Sequence, residues 1–308
     1  MRRSARLAPL APALALVASC STTSPDEDAP AETTDVEEQE STEVEDTWEP
    51  RESDAHGSAE PRLVVADEAG GQVHVIAVST GEPLDSFDVT GPLDLTSVDA
   101  DGSQVLVGDD TVLDTGIRWE PHGGHLDPDN GDPALVADED EVTEARETSE
   151  DDPFDATAIE SVDGPTVTVH PPEGTELSVE LPDEVAAATW DPYWEQALAL
   201  TVDGTLHTID PESGEISGSE RVTGAVDGEE GGATIAAAEN HVYVSDAATR
   251  TIVEVDVSRD GLETDRVRVL DFAPSDLLAV GMEPLAHEHH DEEHDDHDHE
   301  HDDEEHDH

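Results

Sequence analysis

The 308-residue chain contains no lysine, one cysteine and only 3% aromatic residues. All 12 basic residues are arginines, against 80 Asp and Glu residues, so the formal net charge is −68. Beyond the first six residues there is no cluster of basic side chains to bind a phosphate backbone or an anionic membrane surface. The composition therefore excludes the usual nucleic-acid binders and predicts cations as natural ligands of the surface.

The acid excess also has an explanation unrelated to a binding site. A lysine-free, acidic surface is typical of salt-adapted proteins, because salt screens the self-repulsion that otherwise opposes compaction. For the central part of the chain, the net charge alone does not indicate a mechanism.

The N-terminus has the pattern of an export signal. Arg2, Arg3 and Arg6 precede a short apolar run over residues 7–18, which is too short to span a bilayer. Small residues then precede Cys20, as in a bacterial lipobox, although an ordinary secretory peptide with an incidental cysteine stays open. We expect a lipoprotein signal peptide over residues 1–19, lipidation of Cys20, and a lipid-anchored protein on the extracytoplasmic face of the cell membrane.

Residues 20–61 are poor in apolar side chains, and 15 acids fall between residues 21 and 61. Low hydrophobicity together with dense like charge is typical of extended, disordered segments. We expect a disordered acidic linker.

From residue 62 the pattern is that of β-strands, and a unit of short apolar strands with Gly, Asp and Ser turns recurs. Strands begin near residues 64, 105, 159, 198 and 242, a mean step of about 44 residues. This period predicts an all-β domain over residues 62–286, a β-propeller of about five to seven four-stranded blades; an open sandwich or barrel is the alternative. The stretch from Pro133 to Pro153 leaves room for a further unit. The strand pattern at residues 274–280 is expected to complete the N-terminal blade.

The C-terminal 22 residues, 287–308, consist only of nine histidines and 13 acids. Neutral imidazole is a strong ligand for Zn²⁺, Ni²⁺, Cu²⁺ and Co²⁺, and the interleaved carboxylates add oxygen ligands. We expect a disordered metal-binding tail rather than a merely solvated one. Its candidate ligands are His287, His289, His290, His294, His297, His299, His301, His306 and His308.

A second candidate metal site lies in the glycine-rich stretch from Trp119 to Asp127, which we interpret as a loop. His122 and His125 are close enough in sequence to bind one ion, with Asp127 as a third ligand; two solvated histidines are the alternative. The adjoining acidic stretch lacks the later bidentate glutamate of a calcium loop and has Pro128 at its second position.

The remaining sequence offers little else that indicates chemistry. His74, His170, His207 and His241 lie at or beside strands and are interpreted as ordinary hydrogen-bonded or exposed residues. There is no P-loop, no nucleophile elbow and no cysteine available for thiol chemistry. We expect that the protein is not an enzyme.

Several of these stretches together resemble the AztD-type zinc metallochaperones. They are residues 62–67 and 73–81, the stretch from Asp114 to Leu135 with His122 and His125, and residues 271–277. The resemblance implies a β-propeller that holds Zn²⁺ outside the cytoplasm and passes it to the solute-binding protein of a zinc ABC importer. Only His122, His125 and Asp127 match a histidine-rich loop of that family. The histidines of later blades have no counterpart at residues 185–190 and 226–238.

The leading hypothesis is therefore an extracytoplasmic zinc metallochaperone that collects Zn²⁺ on its tail and delivers it to an importer's binding protein. The alternative is a non-enzymatic, salt-adapted surface lipoprotein whose propeller is a scaffold for proteins or the cell envelope.

Overall fold

The computed structural model describes residues 44–51, 60–98, 102–108, 110–122, 125–136, 159–170, 175–226, 232–238, 240–258 and 261–281. The chain divides into two compact units, Met1–Thr42 and Glu43–His308, and every described residue belongs to the second. The predicted signal peptide, Cys20 and the histidine-rich tail lie outside the described residues.

All regular structure in the described part of the chain is β-strand, and this part contains no helix that would reach across a membrane. The strands are, in chain order, β1 (Arg62–Asp67), β2 (Gln72–Ala77), β3 (Pro83–Asp88), β4 (Leu95–Ser97), β5 (Gln104–Val107), β6 (Thr111–Asp114), β7 (Ile117–His122), β8 (His125–Asn130), β9 (Ala134–Val136), β10 (Ile159–Asp163), β11 (Thr166–Val169), β12 (Leu177–Glu180), β13 (Val185–Asp191), β14 (Gln196–Thr201), β15 (Thr205–Ile209), β16 (Ile216–Arg221), β17 (Ala233–Ala238), β18 (His241–Asp246), β19 (Thr251–Ser258), β20 (Gly261–Val269) and β21 (Asp276–Val280).

These strands form the antiparallel blades of a β-propeller, as predicted. Blade I has the order β21-β1-β2-β3, blade II β4-β5-β6-β9, blade III β10-β11-β12, blade IV β13-β14-β15-β16 and blade V β17-β18-β19-β20. The first strands of neighbouring blades adjoin in the sequence β4, β21, β17, β13, β10. The stretch from Pro133 that left room for another unit begins with β9, the outer strand of blade II, and residues 137–158 lie outside the described residues.

The last strand of the chain closes the first blade. β21 pairs antiparallel with β1, with Arg62 opposite Val280 and Ala66 opposite Asp276. Leu277 and Val280 are both 2% exposed, so the strand is also packed. This confirms the prediction from residues 274–280 and explains why the N-terminal sequence unit lacks its first strand.

The core lies between neighbouring blades, and it accounts for the continuous apolar runs of the inner strands. In β1, Val64 and Ala66 pack in a cluster shared with blade II, whereas Leu63 and Val65 pack in a cluster shared with blade V. A strand buried on both faces needs apolar residues at successive positions, which replaces the alternation of a one-sided sheet. The outer strand β3, with sequence PLDSFD, is largely exposed.

The predicted histidine-containing loop is a β-hairpin inserted between the third and fourth strands of blade II. β7 and β8 pair with each other alone, and Gly123-Gly124 is a two-residue sequence typical of hairpin turns. Arg62 fixes the base of this hairpin to blade I, since its guanidinium donates to the carbonyls of Thr115 and, at 2.8 Å, Gly131.

The structure differs from the predicted linker over residues 44–51, which pack on the propeller; we call this segment the strap. Trp48 is 6% exposed and lies against the turn after β2, where Gly81 has φ of 67°. A Cβ atom at Gly81 would lie 2.4 Å from Cδ1 of Trp48, so this close approach requires glycine. The buried aromatic ring supplies the apolar contact that the acidic composition of the surrounding sequence does not suggest.

Candidate metal centre

Blades I, IV and V each have a pair of polar residues at an equivalent position on their two outer strands. In each, a residue of the third strand stands opposite a fourth-strand residue 12 positions later. The pairs are His74 with Ser86, His207 with Ser219, and Glu254 with Arg266.

In blades I and IV this position holds a buried histidine. Nδ1 of His74 lies 2.8 Å from the Ser86 hydroxyl, and Nδ1 of His207 lies 2.7 Å from that of Ser219. The His74 ring also stacks on Phe272, with 4.0 Å between ring centroids. Burial lowers the pKa of both imidazoles, because desolvation disfavours the charged form. These two histidines are neutral hydrogen-bonding groups of the blade, as the sequence interpretation held.

Blade V replaces the neutral pair with an ion pair. The Glu254 side chain is fully buried, and its Oε2 accepts hydrogen bonds from Nε of Arg266 at 3.0 Å and from Nη2 of Arg266. Arg266 also donates to the carbonyl of Val78 at 3.2 Å, and its guanidinium lies 4.2 Å from the ring centre of Trp48. A carboxylate held on one oxygen by a buried arginine keeps its second oxygen, Oε1, for another cation.

Oε1 of Glu254 faces two further metal-ligating side chains. Glu254 and Asp256 are two residues apart on β19 and therefore share a face, and His241, the first residue of β18, stands opposite Asp256 in the register. Nε2 of His241 lies 3.4 Å from Oε1 of Glu254 and 3.0 Å from Oδ1 of Asp256. The three ligand atoms lie within 4.8 Å of one another. We call these three residues the blade V cluster.

The spacing of the blade V cluster fits a small divalent cation. Two ligands about 2.0–2.2 Å from a tetrahedral zinc ion stand roughly 3.3 Å apart, close to the two separations between Nε2 of His241 and the carboxylate oxygens. One imidazole nitrogen and two carboxylate oxygens form a donor set that Zn²⁺ accepts. Oδ1 of Asp256 is shielded from solvent and lies 3.0 Å from Nε2 of His241, so either a proton or a metal ion shared by these two atoms would compensate its burial.

In this structure a protein cation already contacts the blade V cluster. Nη1 of Arg51, at the end of the strap, donates to Oε1 of Glu254 at 2.8 Å and lies 3.5 Å from Nε2 of His241. Nη2 of Arg51 pairs with Asp265. The Arg51 side chain is 41% exposed, so its charge sits at the edge of the cluster rather than inside the blade.

The metal-ligand residues predicted from sequence are placed only in part. His122 and His125 are directly paired in the register of the β7–β8 hairpin, and Asp127 is paired with Glu120. The structure describes the backbone of these residues but not their side chains. The nine tail histidines lie outside the described residues, so both sites stay predictions.

The blade V cluster was missed by the sequence reasoning, which interpreted His241 as an ordinary residue. Carboxylates are too abundant in this chain for a Glu254/Asp256 pair to stand out. The available signal was the period-2 spacing of the two acids on a strand whose hairpin partner begins with histidine.

Comparison with known proteins finds similarity in structure but not in sequence. No protein-family model matches the chain, and no curated protein is significantly similar to it. The crystal structure of AztD from Citrobacter koseri matches with a TM-score of 0.58 and 17% identity, over 74% of this chain and 100% of that one. Apo AztD from the same organism gives the same TM-score and identity over 73% and 98%.

The chain has an AztD-type fold. The resemblance seen in the short sequence stretches is thus confirmed for the architecture, and the blade V cluster stands on a propeller of that type.

Proposed function

We propose that the protein is an extracytoplasmic zinc metallochaperone that captures Zn²⁺ and delivers it to the solute-binding protein of a zinc ABC importer. The observation that carries the proposal is the blade V cluster, in which one imidazole nitrogen stands at zinc-ligand separations from two carboxylate oxygens on an AztD-type propeller. Zinc is the cargo of the protein in this account. Binding and transfer, rather than catalysis, are its task.

The ligand chemistry suits a carrier. A site with three protein ligands leaves a coordination position open for an incoming ligand from the acceptor, unlike a closed four-ligand structural site. Neutral imidazole must bind the ion, so uptake competes with protons. The acidic surface raises the local concentration of cations around this partly open site.

The tail and the β7–β8 hairpin supply further ligands in the proposal. Nine histidines among 13 acids give many weak sites that exchange quickly, because ordering the chain around each ion costs conformational entropy. The tail would collect Zn²⁺ and pass it to sites on the propeller, namely His122 with His125 and the blade V cluster. Export and lipidation at Cys20 place this activity at the outer face of the cell membrane.

Zinc stoichiometry tests the site directly. The full chain and the variant His241→Ala are dialysed to equilibrium against the same buffered concentration of free Zn²⁺, and bound zinc is counted. His241→Ala should bind one zinc ion fewer per chain than the full chain. The control His170→Ala removes an exposed histidine that is distant from the cluster in sequence, and it should bind as much zinc as the full chain. Equal stoichiometry in the two variants would remove the blade V cluster from the account.

The tail has its own test in the same measurement. A chain that ends at residue 286 should bind several zinc ions fewer than the full chain, because all nine tail histidines are absent. If the truncated chain binds as many zinc ions as the full chain, the tail does not collect zinc. If removing the tail lowers the amount of bound zinc but His241→Ala does not, the tail binds zinc and the propeller serves only as a scaffold.

A further inference from the structure

The strap is hydrogen-bonded to two blades at once. The amide of Thr47 donates to the carbonyl of Val267 on β20 at 2.8 Å, and the amide of Arg51 donates to the carbonyl of Ser79 in blade I at 2.9 Å. Trp48 anchors the middle of the strap, with Nε1 donating to the Val78 carbonyl at 3.0 Å. Arg51 is the point at which this segment meets the blade V cluster.

Arg51 and a metal ion compete for the same place beside Glu254. Nη1 of Arg51 donates to Oε1 of Glu254 at 2.8 Å, and Oε1 is the oxygen that Arg266 leaves available. The same Nη1 lies 3.5 Å from Nε2 of His241, so the guanidinium occupies the space that an ion bound by these two side chains would fill. A divalent cation beside the guanidinium would further add like-charge repulsion at close range.

The two ends of the strap differ in how firmly they are held. Trp48 is buried and contacts Arg266, whereas the Arg51 side chain is partly exposed and is held by ion pairs to Glu254 and Asp265. Swinging outward hydrates the Arg51 guanidinium further and costs only these ion pairs, whereas moving Trp48 would expose a large apolar ring.

We propose that Arg51 is a displaceable cation of the blade V cluster, expelled when Zn²⁺ binds there while Trp48 keeps the rest of the strap docked. The inference rests on the proposed function, since it assumes zinc binding by His241, Glu254 and Asp256. It adds a regulation: the free energy of releasing Arg51 is subtracted from the free energy of zinc binding at the cluster.

Tryptic cleavage after Arg51 reports its release in the full chain. Trypsin needs a free arginine side chain, and an arginine paired to a buried carboxylate is protected. Saturating Zn²⁺ should speed cleavage after Arg51 by about tenfold or more, because cleavage follows the population of the opened form. Cleavage of a small arginine-containing peptide added to both reactions serves as the reference for any effect of zinc on trypsin.

Affinity gives the reciprocal measurement. Arg51→Gln removes the competing charge and should tighten zinc binding at the cluster about tenfold, as expected for loss of a competing charged hydrogen bond. Arg268→Gln is the matched control, since Arg268 pairs with Asp46 of the same strap at 3.2 Å but does not touch the cluster. An equal gain in both variants would show a general charge effect and overturn the inference.

Zinc stoichiometry and tryptic cleavage together distinguish the absence of a metal site from the absence of Arg51 displacement. If His241→Ala binds one zinc ion fewer than the full chain but zinc leaves cleavage after Arg51 unchanged, the cluster is a metal site and Arg51 is not displaced. If His241→Ala binds as much zinc as the full chain, the blade V cluster is not a zinc site and zinc does not displace Arg51 there. Zinc-dependent cleavage that persists in His241→Ala would also overturn the inference, because the effect would not arise at this cluster.

Discussion

The Glu254 carboxylate is completely buried, and Arg266, itself 4% exposed, holds its Oε2 through two hydrogen bonds. The pair occupies the blade position at which blades I and IV place a neutral histidine and a serine. Blade V thus has a buried ion pair where its neighbours have a neutral pair, and the other oxygen of Glu254, Oε1, lies 3.4 Å from Nε2 of His241.

Replacing Arg266 tests how much the blade depends on this pair. Arg266→Met should lower the free energy of unfolding by about 3–5 kcal/mol, because it leaves a buried carboxylate without its main partner. Urea unfolding at neutral pH measures the loss, and Arg221→Met, at an exposed arginine, should change stability by less than about 0.5 kcal/mol. The double variant Glu254→Met/Arg266→Met should recover much of the loss; a double variant as unstable as the sum of the single changes would contradict the pairing.

Closure of blade I makes a second prediction. Leu277 on β21 is 2% exposed, and Leu277→Ala should cost about 2–5 kcal/mol of unfolding free energy through the cavity that it leaves. Leu84→Ala on the outer strand β3, at a side chain that is 43% exposed, is the matched control and should cost much less. Equal unfolding midpoints for the two variants would mean that β21 does not close the ring.

Gly81 makes a prediction about the strap. Gly81→Ala places a Cβ atom against the Trp48 ring at a residue with positive φ, so it should dislodge Trp48 and shift its fluorescence emission to longer wavelength. Gly164→Ala has similar backbone strain, with φ of 58°, but no atom within 4 Å of the added Cβ. The control should leave the emission unchanged; the same spectrum for both variants would contradict the packing of the strap.

Much of the fold was predictable because it depends on local pattern. The strand period, the glycine turns and the isolated strand at residues 274–280 together indicated a propeller closed by its C-terminus. The strap was not predictable from composition, because a single buried tryptophan outweighs the acidic residues around it. The one indication of the strap in the sequence was Trp48, an aromatic residue in a local stretch with almost no other apolar side chains.

The blade V cluster required the register as well as the pattern. Alternation placed Glu254 and Asp256 on one face, but the pairing of His241 with Asp256 depends on the length of the turn between β18 and β19. The partner Arg51 comes from 190 residues earlier in the chain than His241. Contacts of such long range are determined by tertiary packing and have no local sequence signature.

Stability should depend on pH through the buried histidine of blade IV. Burial lowers the pKa of His207 in the folded protein, so the unfolded chain takes up its proton first as pH falls below about 6.5. Stability from this residue is therefore complete above that pH and is lost as pH falls toward the lower, folded pKa. His207→Gln, which retains a partner for Ser219, should lose less stability than the unmodified chain between pH 7 and 5.5.

The comparison of variants matters because protonation of the many carboxylates affects all of them alike. His170→Gln, at an exposed histidine, is the control and should follow the unmodified chain in thermal unfolding across this range. Parallel curves for all three proteins would contradict a buried, neutral His207.

Transfer of zinc to an acceptor protein distinguishes a metallochaperone from a zinc-binding scaffold. The zinc-loaded full chain is mixed with the metal-free solute-binding protein of a zinc ABC importer, and the loss of zinc is followed over a range of acceptor concentrations. We expect the rate of zinc loss to rise with acceptor concentration and to exceed the rate of passive dissociation into a small chelator. The reason is that a ligand of the acceptor enters the open coordination position of the bound zinc. A rate equal to passive dissociation at every acceptor concentration would contradict a metallochaperone and leave a zinc-binding scaffold.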